Sequence, residues 1–474
     1  MTGDTGEVTK SGRTLVLCFD GTSNQYDEDV SPLTIMVALN IERMLQNTNV
    51  VKFFALLKKD DFNQQLCYYQ PGIGTWFNPG VVSPLFLWGA KILDLAFAWY
   101  LDAHVIEGYK FLMQNYRVGD KICIFGFSRG AYTARALAGA LHKIGLLPRD
   151  NEQQIPFAYK LYKRVDKSGL QLCAGFKQTF CQDVKVEFVG VWDTVASVGV
   201  LRSRTLPFTS SNKAIKTFRH ALSLDEHRAK FRPTTFHRPS PHQAGAKLDP
   251  ESASPVLNRE GGRGSSEGSS SLTSDTVGLV ALKPSAIAER VSKPLQIFLD
   301  PVEEEGADTD VLEVWFSGCH SDVGGGVVVD AETHSLANIS LRWMVREVQR
   351  TRCGIQFDEA ALDRAQISRL VFADSSTAPE PDVILDSGDA LQPLDDELKK
   401  NILWWLLEII PLRYAWQDQE GVWHREFSFN LGRGRKIQDA NPKFHATVKL
   451  RMEDLTRKYK PKAVWTAGTE QYCR

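Results

Sequence analysis

Short, continuously apolar runs recur along the chain, and each is followed by a turn or a helical pattern. These runs lie at 14–20 (TLVLCFD), 66–74, 120–127 (DKICIFGF), 186–192 and 312–316. Strands that are buried on both faces of a parallel sheet have this length and this near-absence of alternation. The sequence therefore predicts an α/β fold, in which helices cover both faces of a mostly parallel sheet.

Segments with helical periodicity lie between these runs. Apolar side chains recur at helical spacing over 104–117, 131–143 and 336–349, and a further helix is expected over 31–45. Gly145 follows the second of these helices, as a glycine commonly does at a helix C-terminus. Helices between strands are the connections that a parallel sheet requires.

Two segments are unusually apolar. The run at 81–101 (VVSPLFLWGAKILDLAFAWYL) has the length of a membrane span, but a proline, a glycine and two charged residues interrupt it. We expect a buried helix or a cap that lines an acyl pocket, with a spanning helix as the alternative. The segment 402–416 reads as a core helix broken at Pro411, with a lid or a membrane-surface role as the alternative.

Composition changes sharply over 238–310, where Ser, Gly, Pro and Glu dominate (GGRGSSEGSSSLTS). So few apolar residues cannot bury enough surface to offset the conformational entropy lost on folding. We therefore expect a disordered insertion. The strand expected after it completes the sheet, so the insertion interrupts one domain. The predicted organisation is a flexible N-terminus at 1–12, a catalytic domain at 13–416 and a C-terminal extension at 417–474 that packs on it.

The 474 residues include 56 Lys+Arg and 57 Asp+Glu, for a formal net charge of −1, and 43% are hydrophobic. This is a globular composition, and without a basic block it disfavours a nucleic-acid partner. The eight cysteines are scattered and form no metal-ligand spacing, so reduced buried thiols are expected, with no metal or cofactor. The first residues resemble no secretory signal, which favours a cytoplasmic location.

The pentapeptide Gly126-Phe127-Ser128-Arg129-Gly130 matches GxSxG and lies between a predicted strand and a predicted helix. In a nucleophile elbow the chain turns so sharply that the residues two before and two after the serine must lack bulk. The serine hydroxyl is then exposed at the carboxyl edge of the sheet. A tight turn without chemistry is the alternative.

An oxyanion would need backbone donors near that serine. The N–H of Arg129 lies at the start of the following helix, where backbone amides and the helix dipole favour negative charge. A second donor is expected from Gly21 and Thr22, in the loop after the first strand.

A serine nucleophile also needs a base and an acid, which in this architecture follow it in the order Ser, acid, His. Asp193 ends an apolar strand, where a carboxylate needs a partner, and His320 precedes a glycine-rich loop. We predict these two residues as the acid and the base. His227 with Asp225 is the reserve pair.

Asp20 and Asp322 are expected to support this site. A strand that ends in Asp-Gly-Thr resembles aspartyl phosphatases, but the second aspartate of their DxD motif is missing. Asp20 is therefore expected to bind backbone amides of the oxyanion loop. A divalent ion held by Asp20 and Asp322 is the alternative.

Several stretches together resemble the catalytic domains of type VI secretion phospholipase effectors, also called domain of unknown function 2235. They occur in the family's order between residues 13 and 350: LVLCFDGTSN, NYRVGDKICIFGFSRGAYTARALAG, VEFVGVWDTVASVG, HALSLDEHRAKF, VWFSGCHSDVGGG and LANISLRWMV. The resemblance implies an α/β-hydrolase-like fold, phospholipase activity, and a triad at Ser128, Asp193 and His320. The low-complexity insertion and the 81–101 run depart from bacterial relatives and suggest a fungal member.

The predicted function is hydrolysis of a carboxylic ester, in a lipid or phospholipid, through a Ser-His-Asp triad and an acyl-enzyme. Peripheral membrane contact is expected through 81–101 and 402–416. A non-catalytic module that uses the same fold to bind lipid or protein is the competing hypothesis.

Overall fold

The computed structural model describes residues 12–21, 46–72, 86–195, 212, 214–236, 309–369, 380–418 and 423–474. The predicted N-terminal segment up to residue 11, the predicted helix at 31–45 and residues 238–308 of the predicted insertion lie outside these ranges. Thr22 and residues 81–85 do so as well.

Ten strands and twelve α-helices are found in the described ranges. The strands are β1 (Thr14–Phe19), β2 (Gln65–Gln70), β3 (Lys121–Phe127), β4 (Val186–Trp192), β5 (Ile215–Ser223), β6 (Asp310–Phe316), β7 (Leu412–Gln417), β8 (Trp423–Ser428), β9 (Lys443–His445) and β10 (Gln471–Cys473). The helices are α1 (Asn49–Leu56), α2 (Phe86–Asn115), α3 (Ser128–Ile144), α4 (Ile155–Lys163), α5 (Lys167–Phe180), α6 (His320–Gly324), α7 (Leu336–Thr351), α8 (Glu359–Arg364), α9 (Glu380–Asp389), α10 (Glu397–Lys400), α11 (Trp405–Glu408) and α12 (Ala446–Glu453).

Eight strands form one sheet in the order β10-β9-β6-β5-β4-β3-β1-β2. Every neighbouring pair in this sheet is parallel. The order reverses between β1 and β3, because β2 lies on one side of β1 and the following strands lie on the other. Open parallel sheets bind ligands at such a switch point, beyond the carboxyl ends of the strands. The predicted α/β-hydrolase-like fold is confirmed.

Alternating side chains of the central strands feed two separate cores. In β1, Leu15 and Leu17 belong to the core beneath α2, α3, α4 and α5, whereas Val16 and Cys18 belong to the core beneath α1, α7 and α8. Successive strand residues point to opposite faces, so a strand covered on both sides is apolar throughout. This explains why the strands were visible in the sequence as continuous runs.

The apolar run at 81–101 is described from Phe86 onward and forms the first half of α2, a helix of 30 residues. The predicted helix at 104–117 is its second half, so no break separates the two. Among the described helices, none has both the length and the apolar content needed to cross a membrane.

The prediction of a core helix at 402–416 is wrong. Residues Ile402–Trp404 form a 3₁₀ turn, α11 adds one turn, and the chain then enters β7, which pairs antiparallel with β8. Pro411 cannot continue the hydrogen bonding of a helix. The short helical stretch also stays at the surface, since Ile402 is 79% exposed and Ile409 is 58% exposed. The alternative lid or membrane-surface role therefore remains.

The segment 417–474, predicted as an extension packed on the domain, supplies part of the sheet itself. β9 pairs with β6 and β10 pairs with β9, both in parallel. Phe444 of β9 is fully buried in a third core, together with Leu222 and Trp315 from β5 and β6. The edge of the sheet is therefore built by the C-terminal residues.

Candidate active site

The sharp turn between β3 and α3 carries Ser128. Its φ of 57° lies in the left-handed region, which non-glycine residues rarely adopt outside such turns. A Cβ on Gly126 would lie 2.5 Å from the carbonyl oxygen of Gly130, and one on Gly130 would lie 2.3 Å from that of Phe19. Both glycines are therefore required by close backbone contacts, as the GxSxG pattern predicted.

We expect Gly130→Ala to destabilise the fold by about 1–3 kcal/mol, because the added methyl group would meet rigid backbone at the end of β1. Displacing the elbow should also lower ester hydrolysis by roughly 100-fold. Thermal unfolding and kinetics of the variant would test both effects. The matched control is Gly175→Ala in α5, where the added Cβ meets no atom within 4 Å. Equal behaviour of the two variants would contradict the packing argument.

The three side chains predicted as nucleophile, base and acid lie in one hydrogen-bonded row. His320 Nε2 is 2.8 Å from Ser128 Oγ, and His320 Nδ1 is 2.5 Å from Asp193 Oδ2. All three residues are buried, at 5%, 4% and 0% exposure for Ser128, His320 and Asp193. They come from the carboxyl ends of β3, β4 and β6, which meet at the same edge of the sheet.

Asp193 follows β4 directly and is held by more than the imidazole. Its Oδ1 accepts the backbone N–H of Ser223 at 3.0 Å, and Arg435 donates to both carboxylate oxygens, at 2.6 and 2.9 Å. Burial alone would raise the pKa of Asp193, but the Arg435 guanidinium and the His320 hydrogen bond outweigh it. They hold the pKa of this carboxyl well below its usual range, so Asp193 is ionised at neutral pH.

His320 begins α6 and lies between two aromatic rings. The ring centroids of Phe127 and Phe231 are 4.7 and 4.8 Å from that of the imidazole. This burial lowers the pKa of His320, although the Asp193 carboxylate partly opposes the shift. The imidazole is therefore neutral at pH 7, the state in which it can accept a proton from a hydroxyl group.

The predicted oxyanion donors lie at the start of α3 and directly after β1. Arg129 occupies the first turn of α3, where the backbone N–H groups and the helix dipole favour negative charge. The N–H of Gly21 instead donates to Oδ1 of Asp20 at 2.7 Å, so as an oxyanion donor it would have to exchange partners. Thr22 lies outside the described residues.

The two supporting aspartates hold loops on either side of the triad. Asp20 accepts hydrogen bonds from Thr48 and Tyr69, and burial raises its pKa to about 6. Asp322 accepts the backbone N–H groups of Cys319 and Asp395, and burial raises its pKa to about 7. In the part of the chain that the structure describes, no three His, Cys, Asp or Glu residues are grouped as metal ligands would be.

The reserve pair is not formed. His227 Nε2 is 2.8 Å from Asp396, and Asp225 instead accepts hydrogen bonds from Tyr459 and from the N–H of Gly318. These contacts tie the loop after β5 to the C-terminal part of the chain. His227 contacts Asp396, the carbonyl of Gly432 and Lys462 Nζ, so its surroundings differ from the Ser-His-Asp row.

Three residues that form hydrogen bonds with the triad were not predicted from the sequence. Ser223 and Glu226 lie in the quoted stretch HALSLDEHRAKF, so a signal existed, and the Glu226 carboxylate accepts the backbone N–H of His320 at 3.2 Å. Arg435 follows Asp193 by 242 residues and belongs to no quoted stretch. A lone arginine in a polar segment gives no indication of such a contact.

Comparison with known proteins gave three kinds of match. The sequence model of the type VI secretion system phospholipase effector Tle1-like catalytic domain matches residues 13–347, which confirms the predicted resemblance. An uncharacterized protein of Saccharomyces cerevisiae is 29% identical over an alignment that covers 96% of this chain and 80% of the yeast protein. Because this relative comes from a yeast, it agrees with the prediction that the chain is a fungal member of the family.

Two solved structures are also similar. An uncharacterized protein from Pseudomonas aeruginosa shares 18% identity at a TM-score of 0.37, and the match covers 80% of this chain but only 53% of that one. A Tle1 effector bound to the VgrG spike of the type VI secretion system shares 12% identity at a TM-score of 0.34, covering 96% and 94%. Both TM-scores are below 0.5, so the description of the fold depends on the strand order above.

Proposed function

The chain belongs to the family of type VI secretion system phospholipase effector Tle1-like catalytic domains, and on that premise we propose that it is a serine hydrolase of lipid or phospholipid acyl esters. The observation that carries the proposal is the row from Ser128 through His320 to Asp193. A buried imidazole that contacts a serine hydroxyl on one side and a carboxylate on the other has the geometry of an activated nucleophile.

The proposed reaction is acyl transfer to water. As Ser128 Oγ attacks the ester carbonyl carbon, His320 Nε2 takes its proton, and Asp193 stabilises the imidazolium that forms. The oxyanion is bound by the N–H of Arg129 and by a donor from the Gly21 loop, each such donor contributing about 100- to 1,000-fold in rate. The departing alcohol takes the proton from His320, and water then releases the acyl group by the reverse sequence.

Aromatic side chains support an apolar substrate. Trp404 packs edge-on against Phe231 at 5.6 Å, and Phe231 in turn contacts the imidazole of His320. The Arg228 guanidinium lies 3.6 Å from the Phe231 ring centroid and is paired with Glu226. Two aromatic rings therefore connect His320 to the surface segment that begins at Ile402.

That segment forms an exposed apolar patch, defined here as Ile402, Trp405, Leu406, Ile409 and Leu431, which are 42–79% exposed. The N–H of Leu431 donates to the carbonyl of Glu408 at 3.3 Å, so the two parts of the patch are adjacent. The exposed cations Lys399 and Arg433 lie next to it in the chain. Apolar residues with a tryptophan and basic neighbours suit contact with an anionic bilayer surface.

We expect the double variant Leu406→Ala with Ile409→Ala to bind anionic phospholipid vesicles roughly 10-fold or more weakly, because it removes apolar surface that a bilayer would cover. Hydrolysis of a water-soluble short-chain ester should not change. Vesicle sedimentation and ester kinetics would measure the two effects. Leu455→Ala is the control, since that leucine is 87% exposed but lies outside the patch. Equal vesicle binding by the double variant and by Leu455→Ala would contradict a membrane role for the patch.

We also propose membrane contact through the other predicted segment, 81–101.

The eight cysteines are all free thiols that form no disulfide. This supports a reducing compartment such as the cytoplasm as the place of action.

The direct test is labelling with a fluorophosphonate, followed by mass spectrometry to locate the adduct. Such a probe needs an activated serine but no knowledge of the substrate. We expect one adduct, on Ser128. Folded protein that stays unlabelled would favour the non-catalytic lipid- or protein-binding module.

A further inference from the structure

Arg435 lies in the coil before β9 and extends its side chain to the triad carboxylate. Its Nη1 donates to Asp193 Oδ1 at 2.6 Å and to Ser223 Oγ at 2.7 Å, and its Nη2 donates to Asp193 Oδ2 at 2.9 Å and to the carbonyl of Phe231 at 2.5 Å. Arg435 is only 6% exposed. The two terminal nitrogens of the guanidinium form a fork that binds both oxygens of the fully buried Asp193 carboxylate. One of these oxygens, Oδ2, also accepts the hydrogen bond of His320.

The backbone around Arg435 is fixed by the C-terminal residues. The N–H of Val464 donates to the Arg435 carbonyl at 2.7 Å, and the N–H of Ala463 donates to the carbonyl of Leu224 at 2.9 Å. A Cβ on Gly434 would lie 1.7 Å from the carbonyl oxygen of Lys462, so the two segments touch through backbone. These contacts place Arg435 relative to β5 and leave its guanidinium little freedom.

We propose that Arg435 is a positioning residue of this active site, which orients the Asp193 carboxylate toward His320 and neutralises part of its charge; this rests on the proposed serine hydrolase function. A bidentate guanidinium fixes the plane of a carboxylate, which a single hydrogen bond does not. Asp193 Oδ2 then points at the imidazole in one orientation. The arginine acts through the acid and does not touch the reacting atoms.

The charge of Arg435 has a second effect, on the base. The charged groups that interact with His320 include Asp193, Glu226 and Arg228, and Arg435 interacts with the first two of these. With Arg435 present, the imidazolium is stabilised by a carboxylate that is already paired. Removal of the cation would leave Asp193 free to stabilise the imidazolium more strongly, so His320 would take up a proton at higher pH.

The test is the pH dependence of fluorophosphonate labelling, which requires only the neutral base and the serine. In the natural protein, the labelling rate should fall on acidification with a midpoint below the usual histidine range, because burial lowers the pKa of His320. In Arg435→Gln we expect the rate to fall about 10- to 100-fold and the midpoint to rise by roughly one pH unit. Arg435→Lys, which keeps the charge but loses the fork, should lose rate while keeping the midpoint.

Arg342→Gln is the matched control, because Arg342 is equally buried and binds Asp386 and Asp389 away from the triad. It should leave the midpoint unchanged. A midpoint in Arg435→Gln that equals that of the natural protein would overturn the proposal. If the natural protein itself is not labelled, the proposed function fails instead, and the two failures are thereby distinguished.

A comparison in the Asp193→Asn background covers the case in which Arg435→Gln does not fold. The double variant Asp193→Asn with Arg435→Gln removes both charges together, so no buried ion is left unpaired, and it should melt above Asp193→Asn alone. Because Arg435 acts through Asp193, its removal in the Asn background should change the labelling rate less than about 3-fold. A further 10-fold loss there would show that Arg435 acts elsewhere and would overturn the proposal.

Discussion

Ser128→Ala is expected to lower kcat/KM for ester hydrolysis by about a million-fold, which is the scale on which removal of the nucleophile of a triad reduces catalysis. Without Oγ, His320 has no hydroxyl to deprotonate at 2.8 Å, and no acyl-enzyme can form. The elbow itself should survive, since alanine adds no atom and the glycines at 126 and 130 are unchanged. Fluorophosphonate labelling should disappear together with hydrolysis.

Ser168→Ala is the control for this variant, because Ser168 is an exposed serine at the start of α5 that bonds to its neighbours Arg164 and Asp166. It should hydrolyse esters and take the label as the natural protein does. Substantial ester hydrolysis by folded Ser128→Ala would exclude this serine as the nucleophile and would turn attention to water activated directly by His320.

Asp193→Asn is expected to reduce kcat by about 10,000-fold, while ester binding changes little. The asparagine amide cannot accept hydrogen bonds with both of its terminal groups, so either His320 Nδ1–H or the Arg435 fork faces a donor. An imidazole that loses its acceptor at Nδ1 can adopt the wrong tautomer, and its imidazolium is no longer stabilised. Steady-state kinetics on a soluble ester would separate kcat from KM.

The same substitution should also destabilise the fold by about 3–5 kcal/mol, because it leaves the buried Arg435 without a counter-ion. Kinetics should therefore be measured well below the unfolding temperature, which circular dichroism would establish. The conservative comparison is Asp193→Glu, which keeps the charge but lengthens the side chain. A loss of less than about 10-fold in folded Asp193→Asn would argue against Asp193 as the acid.

Local patterns sufficed to predict the parts of the site that belong to the central sheet. Ser128 and Asp193 each end a strand that is buried on both faces, and parallel strands bring their carboxyl ends to one edge. Glycines at 126 and 130 are required by backbone contacts of 2.5 and 2.3 Å, so the elbow is encoded within five residues. Periodicity and turn chemistry are short-range signals, which is why these positions could be predicted from the sequence.

The remaining parts depend on contacts that the sequence pattern does not encode. β9 and β10 are three residues long, too short for any periodicity to be visible, yet they complete the sheet. Arg435 is placed by backbone hydrogen bonds to residues near 463, and an arginine in the polar run GRGRK reads as part of a surface loop. The segment 402–416 was misjudged because its apolar composition suggested a core, whereas its side chains lie partly at the surface.

The late position of Arg435 in the chain has a consequence for biosynthesis. Asp193 is translated 242 residues earlier, and at about 5–20 residues per second the ribosome needs roughly 10–50 s to cover that interval. During this time the nascent chain can pair its first strands, but the carboxylate has no guanidinium. Full activity under the proposed function would thus arise only after Arg435 has been synthesised, and products of earlier termination would carry the nucleophile without its positioning arginine.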